Sequence, residues 1–284
     1  MFKNYSRGVA TARDAWVYQS NQDKLAQNIQ TTIRFYNQQR EQFHQAFSSL
    51  SRQAQVKTVN GFINHDSTQI NWVRSTKENL IKNQVVNFDP ASIVTSLYRP
   101  FTKQWMYFSR DLNEMVYQMP QIFPYEGAKN VVIAVTGRGA TKEFSAMITN
   151  VIPDLEMISK GQCFPLYLYE KVSSDKQDLF AQHSQHAGYH RADGIENEIL
   201  THFQKAYPKN KVCKVDIFYY IYEVLHCENY RGQYKDNLSK QLPRIFLAKM
   251  LPFSLSFPKQ DANLLISTSI TNLPPSILLL FQVN

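Results

Sequence analysis

Apolar and aromatic side chains recur at Ile29, Ile33, Tyr36, Phe43, Phe47 and Leu50. This is the seam of an amphipathic helix, with Arg40 standing in the one missing place. The pattern predicts a helix of about 30 residues, with Ser20 and Asp23 spaced to cap its start. A second helix is predicted over residues 70–82. Asp89-Pro90 ends the helical part, because proline pushes the preceding residue out of the α region. The residues ahead of the seam have no helical period and read as extended chain.

Past Pro90 the period changes. Residues 98–101, 105–108 and 131–135 are rich in aromatic and β-branched side chains and read as strands, as do residues 164–169. Residues 144–158 alternate imperfectly and leave helix and strand both open. The polar, His-rich residues 171–194 read as a loop. Residues 195–207 look helical. Asp216 stands as an N-cap ahead of the helical face Phe218, Ile221, Tyr222 and Leu225. Tyr230, Tyr234 and Leu238 continue as a second short helix, which Leu242-Pro243 stops. The fold class expected is therefore α+β: a helical spacer over residues 20–90, then a mixed, mostly antiparallel β-sheet domain with flanking helices over 91–250. No internal repeat is visible.

Composition narrows the function. The 284 residues are 43% hydrophobic and 19% charged, which suits a globular chain with a sizeable core. The net charge of +8 is unevenly spread. Residues 1–110 hold 14 Lys/Arg against 6 Asp/Glu, whereas the remainder is balanced at 17 of each. A basic segment suits a polyanion, with nucleic acid the first candidate; a merely soluble basic surface is the alternative. Cys163, Cys213 and Cys227 are widely spaced and form no CxxC, so neither a zinc ribbon nor a disulfide framework is expected. A reducing, cytoplasmic compartment fits. The polar opening does not read as a secretory signal, and no apolar run is long enough for a membrane span.

Catalytic signatures are missing. No GxxxxGK[ST], GxGxxG or GxSxG occurs. The nearest approach to the [DN]-Pro-Pro-[Tyr/Phe] signature of amino-methyltransferases, at residues 272–276, has the wrong spacing and ends in Ser276. No convincing Asp…Glu-x-Lys nuclease trio stands out. His183, His186 and His190 would share a face on a helix, as metal ligands can. Gly188 and the polar surroundings argue for a solvated loop instead, and no metal site is expected. Gly137-Arg138-Gly139 follows a predicted strand. It is either an ordinary tight turn or one that presents backbone N–H groups and an arginine to phosphate.

Longer blocks carry a resemblance. They are YSRGVATARDAWVY with IRFYN at 33–37, YRPFTKQWMYF at 98–108 followed by LNE, QCFPLYLYE at 162–170, and DIFYYIYEVLHCENYRGQYKDNLSKQLPRI at 216–245. In order and content these resemble the C-terminal target-recognition region of Type ISP restriction–modification enzymes. The resemblance implies one long polypeptide with a nuclease, an ATP-driven translocase, an adenine-N6 methyltransferase and, last, a target-recognition domain. This chain resembles only the last part. Residues 1–19 would be the join from the methyltransferase. Double-stranded DNA would be the partner, together with the methyltransferase and translocase domains. The chain would carry no catalytic residue and no cofactor; S-adenosylmethionine, ATP and Mg would serve the other domains. Phe246 departs from the family's proline after LPRI.

Reading base edges takes Arg or Lys to guanine and Asn or Gln to adenine. Candidates on expected loops and strand ends are Arg99, Lys103, Gln104, Arg110, Arg138 and Lys142. Arg74, Lys77 and Lys82 in the spacer are the candidates for phosphate. Trp105, Phe108, Tyr219, Tyr220 and Tyr222 are expected to be core rather than platforms for bases. Two rival readings stand beside DNA recognition: a free-standing methyltransferase-associated enzyme, and a non-functional remnant of a frameshifted gene. The remnant is motivated by residues 251–284, where the resemblance stops and charge nearly vanishes. Permitted codons for FPKQDANLLISTSITNL, read from the third base, give SKAGRKLADFNINYEL. That string resembles what the family carries after LPRI, so the tail is expected to be out of frame.

Overall fold

A computed structural model of the chain describes residues 1–172, 185–186 and 188–247. In chain order it contains β1 (Ser6–Arg7), α1 (Asp14–Val17), β2 (Tyr18–Gln19), α2 (Gln22–Phe47), α3 (Arg52–Phe62), α4 (Arg74–Ile81), β3 (Ile93–Arg99) and β4 (Thr102–Tyr107). There follow α5 (Met119–Ile122), β5 (Val132–Val135), β6 (Ala146–Thr149), β7 (Ile152–Pro153), β8 (Gln162–Pro165), β9 (Tyr167–Lys171), β10 (Gln185–His186) and β11 (Tyr189–Asp193). The described chain closes with α6 (Asn197–Ala206), α7 (Lys214–His226), α8 (Glu228–Gln233) and α9 (Lys235–Leu238). This is the expected α+β class, with helices first and mostly antiparallel sheets after them. The tail from residue 251 and His183 lie outside the described residues.

The helical seam buries Ile29, Ile33, Tyr36 and Phe43, while Leu50 lies beyond the end of α2 and is exposed. The cap is Asn21 rather than Ser20: its side chain accepts from the Lys24 N–H at 2.8 Å. Arg40 fills the gap in the seam by donating to Asn83. Beside it the Tyr36 hydroxyl donates to the Gln84 carbonyl at 2.9 Å, and Asn37 donates to the Val86 carbonyl at 2.7 Å. One face of α2 therefore clamps the chain that leaves α4. Helix α3 was not expected, because Val59 is its one buried residue. It is held by Phe62, whose ring meets Phe43 and Phe47, each at 5.4 Å between centroids. Helix α4 begins four residues later than expected.

Three strand expectations and one helix cap need correction. Residues 98–101 are not all strand: β3 ends at Arg99, and Pro100-Phe101 makes the turn into β4. Residues 164–169 divide between two sheets, with Leu166 as the hand-over. Part of the expected loop 171–194 is β11, which pairs antiparallel with β9 and turns back onto β10. Its side chains are polar and partly exposed on both faces, so no apolar alternation announces it. Asp216 is not the N-cap of α7 but its third helical residue, accepting from the Cys213 N–H at 2.7 Å.

The sheet ordered β1-β8-β5-β6 explains why residues 132–135 are wholly apolar. Val132, Ala134 and Cys163 join a core shared with α2–α4, β3 and β4, whereas Ile133, Val135 and Phe164 join a second core under α6–α9. A sheet covered on both faces loses the polar half of its alternation. The remaining sheets are β2-β4-β3-β7, where β7 runs parallel to β3, and β10-β11-β9. The first 19 residues supply β1 and β2 to two of these sheets. Gly8 is what lets them lie so close: a Cβ there would sit 2.4 Å from the Asp154 carbonyl oxygen. Gly8→Ala is therefore expected to lower stability by about 2–3 kcal/mol through overpacking against backbone that cannot retreat. Urea unfolding checks this, and an unchanged midpoint would contradict it.

Candidate nucleic-acid interface

The strand β3 and its turn are mounted on a partly buried polar junction. Arg99 donates through Nη1 to Asp154 at 2.9 Å and to the Tyr98 carbonyl at 2.7 Å, and through Nη2 to Asp14 at 3.0 Å. Its guanidinium also lies over the Tyr98 ring at 3.9 Å, and that ring stands 4.6 Å from Tyr18. The Tyr18 hydroxyl donates to Asp154 at 3.2 Å and lies 3.1 Å from the Ser96 hydroxyl, which donates to the Ile152 carbonyl at 2.7 Å. Thr11 completes the group by donating to Asp14. Burial pushes the Asp154 carboxyl up to about 6; the Asp14 charge adds to this, and the Glu156 N–H, Arg99 and Tyr18 oppose it. Arg99, expected to reach base edges, thus has its donors turned inward on two carboxylates.

The other candidates fall into three groups. Arg138 and Lys142 are exposed on the loop between β5 and β6. That loop also collects cations that sequence reasoning missed. Lys160 donates to the Gly139 carbonyl at 2.7 Å, Arg231 of α8 donates to the Phe144 carbonyl at 2.9 Å, and Lys235 of α9 pairs with Glu143 at 3.8 Å. Lys160 on one side and the neighbouring Arg231 and Lys235 on the other are each far along the chain from this loop, so no local spacing could have assigned them to it. The loop is not an open cradle of amides, since the Gly137 N–H donates to the Ser159 carbonyl at 3.0 Å.

Lys103 and Gln104 open β4, the lysine exposed and the glutamine half-buried. Arg74, Lys77 and Lys82 all belong to α4 and its end, with Lys77 half-buried and the other two exposed. Arg74 pairs with Glu114 at 3.3 Å, and the same carboxylate accepts from the Ser75 N–H at 3.1 Å. Arg110 is exposed in the turn that carries Glu114 toward α4. Behind this contact Arg13 is buried and donates to Thr76 at 3.1 Å; burial lowers its pKa to about 10, partly offset by Glu114. The LNE triplet is structural on this geometry, because Asn113 donates to the carbonyls of Tyr107 and Ser109 at 2.9 and 2.8 Å. Among the described residues no group of three or more His, Cys, Asp or Glu is placed to hold a metal. No described helix is long and apolar enough to cross a membrane.

The model of the Type ISP C-terminal specificity domain matches residues 1–251. The chain belongs to this family. Solved structures agree with the assignment. Against a DrdV–DNA complex determined by cryoEM, the identity is 35% and the TM-score 0.70, over 86% of this chain and 21% of that one. Against a nuclease-deletion mutant of the Type ISP restriction–modification enzyme LlaGI, in complex with a DNA substrate mimic, the values are 29% and 0.71, over 88% and 20%. The ATP-dependent Type ISP enzyme LlaBIII bound to DNA shares the fold at TM-score 0.70 and 24% identity, over 88% and 15%. This chain thus spans only about a fifth of the length of the relatives it matches, or less. No curated protein matches.

Arg99→Ala is expected to cost about 2–3 kcal/mol at pH 8, below the value for a wholly buried pair because the arginine is partly exposed. The loss should shrink by pH 5. Asp154 already takes up its proton near 6 in the folded state, above its unfolded value, so its charge and the lost attraction both vanish on acidification. Urea unfolding at the two pH values measures this; an equal penalty at both would contradict the junction.

Proposed function

We propose that this specificity domain grips and reads duplex DNA, while adenine-N6 methylation and ATP-dependent cleavage are carried out by methyltransferase, translocase and nuclease domains of a longer enzyme. S-adenosylmethionine, ATP and Mg then serve those domains. The observation that carries the reading is the loop between β5 and β6. It carries Arg138 and Lys142 and is met by Lys160, Arg231 and Lys235, the last paired with Glu143, on a chain whose family has solved members in complex with DNA. Exposed arginines and lysines on a loop raised from a rigid sheet suit a phosphate backbone and the edges of guanine.

The residues divide by role. Arg138 and Lys142, with Lys103, Gln104 and Arg110, reach base edges or the phosphates beside them. Arg74, Lys77 and Lys82 hold phosphate, and Arg99 holds the protein together. Binding to duplex DNA is then expected to weaken steeply with salt, with a log–log slope near the number of phosphates neutralised. Replacing Arg138 with alanine should cost about 1–3 kcal/mol and change the preferred sequence. Arg74→Ala should weaken all sequences alike. Fluorescence anisotropy at two salt concentrations separates these outcomes. Absence of binding at low salt would overturn the proposal, and full affinity in Arg138→Ala would overturn the assigned role.

A further inference from the structure

Phe101 is 79% exposed, whereas the other exposed large apolar side chains of the described residues lie between 39% and 52%. It also holds a φ of +61°, a left-handed conformation that crowds the Cβ of a bulky L-residue. Glycine would take this turn without strain. An aromatic ring here therefore works against folding twice, by strain and by hydration, and such costs are kept where a site uses them. The mount beneath is stiff. The preceding Arg99 is fixed to Asp14, Asp154 and the Tyr98 carbonyl, and the Thr102 hydroxyl donates back to the Pro100 carbonyl at 3.4 Å.

The flanking surface decides what the ring fits. Thr102 and Lys103 beside it are exposed and polar, and Lys103 is a cation two residues away. A protein interface needs a broad apolar centre of many residues, which this turn lacks. A single flat apolar ring with a neighbouring cation suits a step of stacked bases, with the lysine on the adjoining phosphate. We propose that Phe101 is a wedge that inserts between stacked base pairs of duplex DNA and unstacks one step. This rests on the DNA-binding reading and adds to it a positioning residue and a deformation of the DNA.

The experiment uses the full chain and a duplex enriched by it from a randomised pool, with 2-aminopurine walked through every step. Binding should raise the fluorescence at one step at least severalfold. Phe101→Ala should abolish that rise and weaken binding by about tenfold or more, and Phe101→Trp should restore both. Phe101→Gly should raise the urea midpoint while losing affinity, which a phenylalanine with a merely structural role could not do. If duplexes are enriched but no step brightens, or Phe101→Ala binds as the unaltered chain does, the wedge is wrong while DNA binding stands. If no duplex is enriched, both fall. A rise that persists in Phe101→Ala also overturns the wedge.

Discussion

Arg99 donates to Asp14 from the N-terminal segment and to Asp154 beside β7, while its own strand runs between them in the sheet. The Asp154 side chain is only 5% exposed, and Arg99 is the cation paired with it there. The pairing therefore does more than add attraction. It sets where the first 19 residues cross the sheet and fixes the angle of the β3–β4 turn. Removing one partner from such a group leaves uncompensated charge away from water, which costs more than the pair itself contributes.

From that junction the architecture extends outward through the sheet ordered β1-β8-β5-β6. Because both of its faces are covered, it joins the helical part to α6–α9 without a boundary of exposed linker between them. The β5–β6 loop is the end of this sheet that escapes burial. Tertiary packing brings Arg231 of α8 and Lys235 of α9 against its side, where they meet Phe144 and Glu143. The two candidate DNA-facing loops, after β3 and after β5, are thus short excursions from rigid scaffolding. This is the arrangement a binding site needs if its side chains are to meet base edges at fixed distances.

Where burial is one-sided, the sequence states the structure openly. The α2 seam and the apolar face of α7 are legible because period and burial coincide. The β9–β11 pairing is hidden, since His190, Arg191 and Asp193 are polar and no face of that ribbon is fully covered. Helix α3 is hidden for the opposite reason: its stability comes from Phe62 docking on α2, not from an apolar face of its own. The candidate site was half legible. Arg138 and Lys142 are marked by their place after an apolar strand, and Lys160, Arg231 and Lys235 become neighbours only through the fold. Arg99 illustrates the limit most clearly. An arginine at the end of a predicted strand looks ready for a base, and only the distant Asp14 and Asp154 reveal its other engagement.

In the proposed complex two loops meet DNA while the scaffold behind them stays unchanged. Amide hydrogen exchange of the full chain, with and without a duplex it has enriched, tests this most directly. The prediction is slowed exchange at residues 99–104 and 136–145, with β5, β8 and α7 unaltered. Protection confined to α7–α9, or bound DNA that leaves both loops exchanging as before, would contradict it.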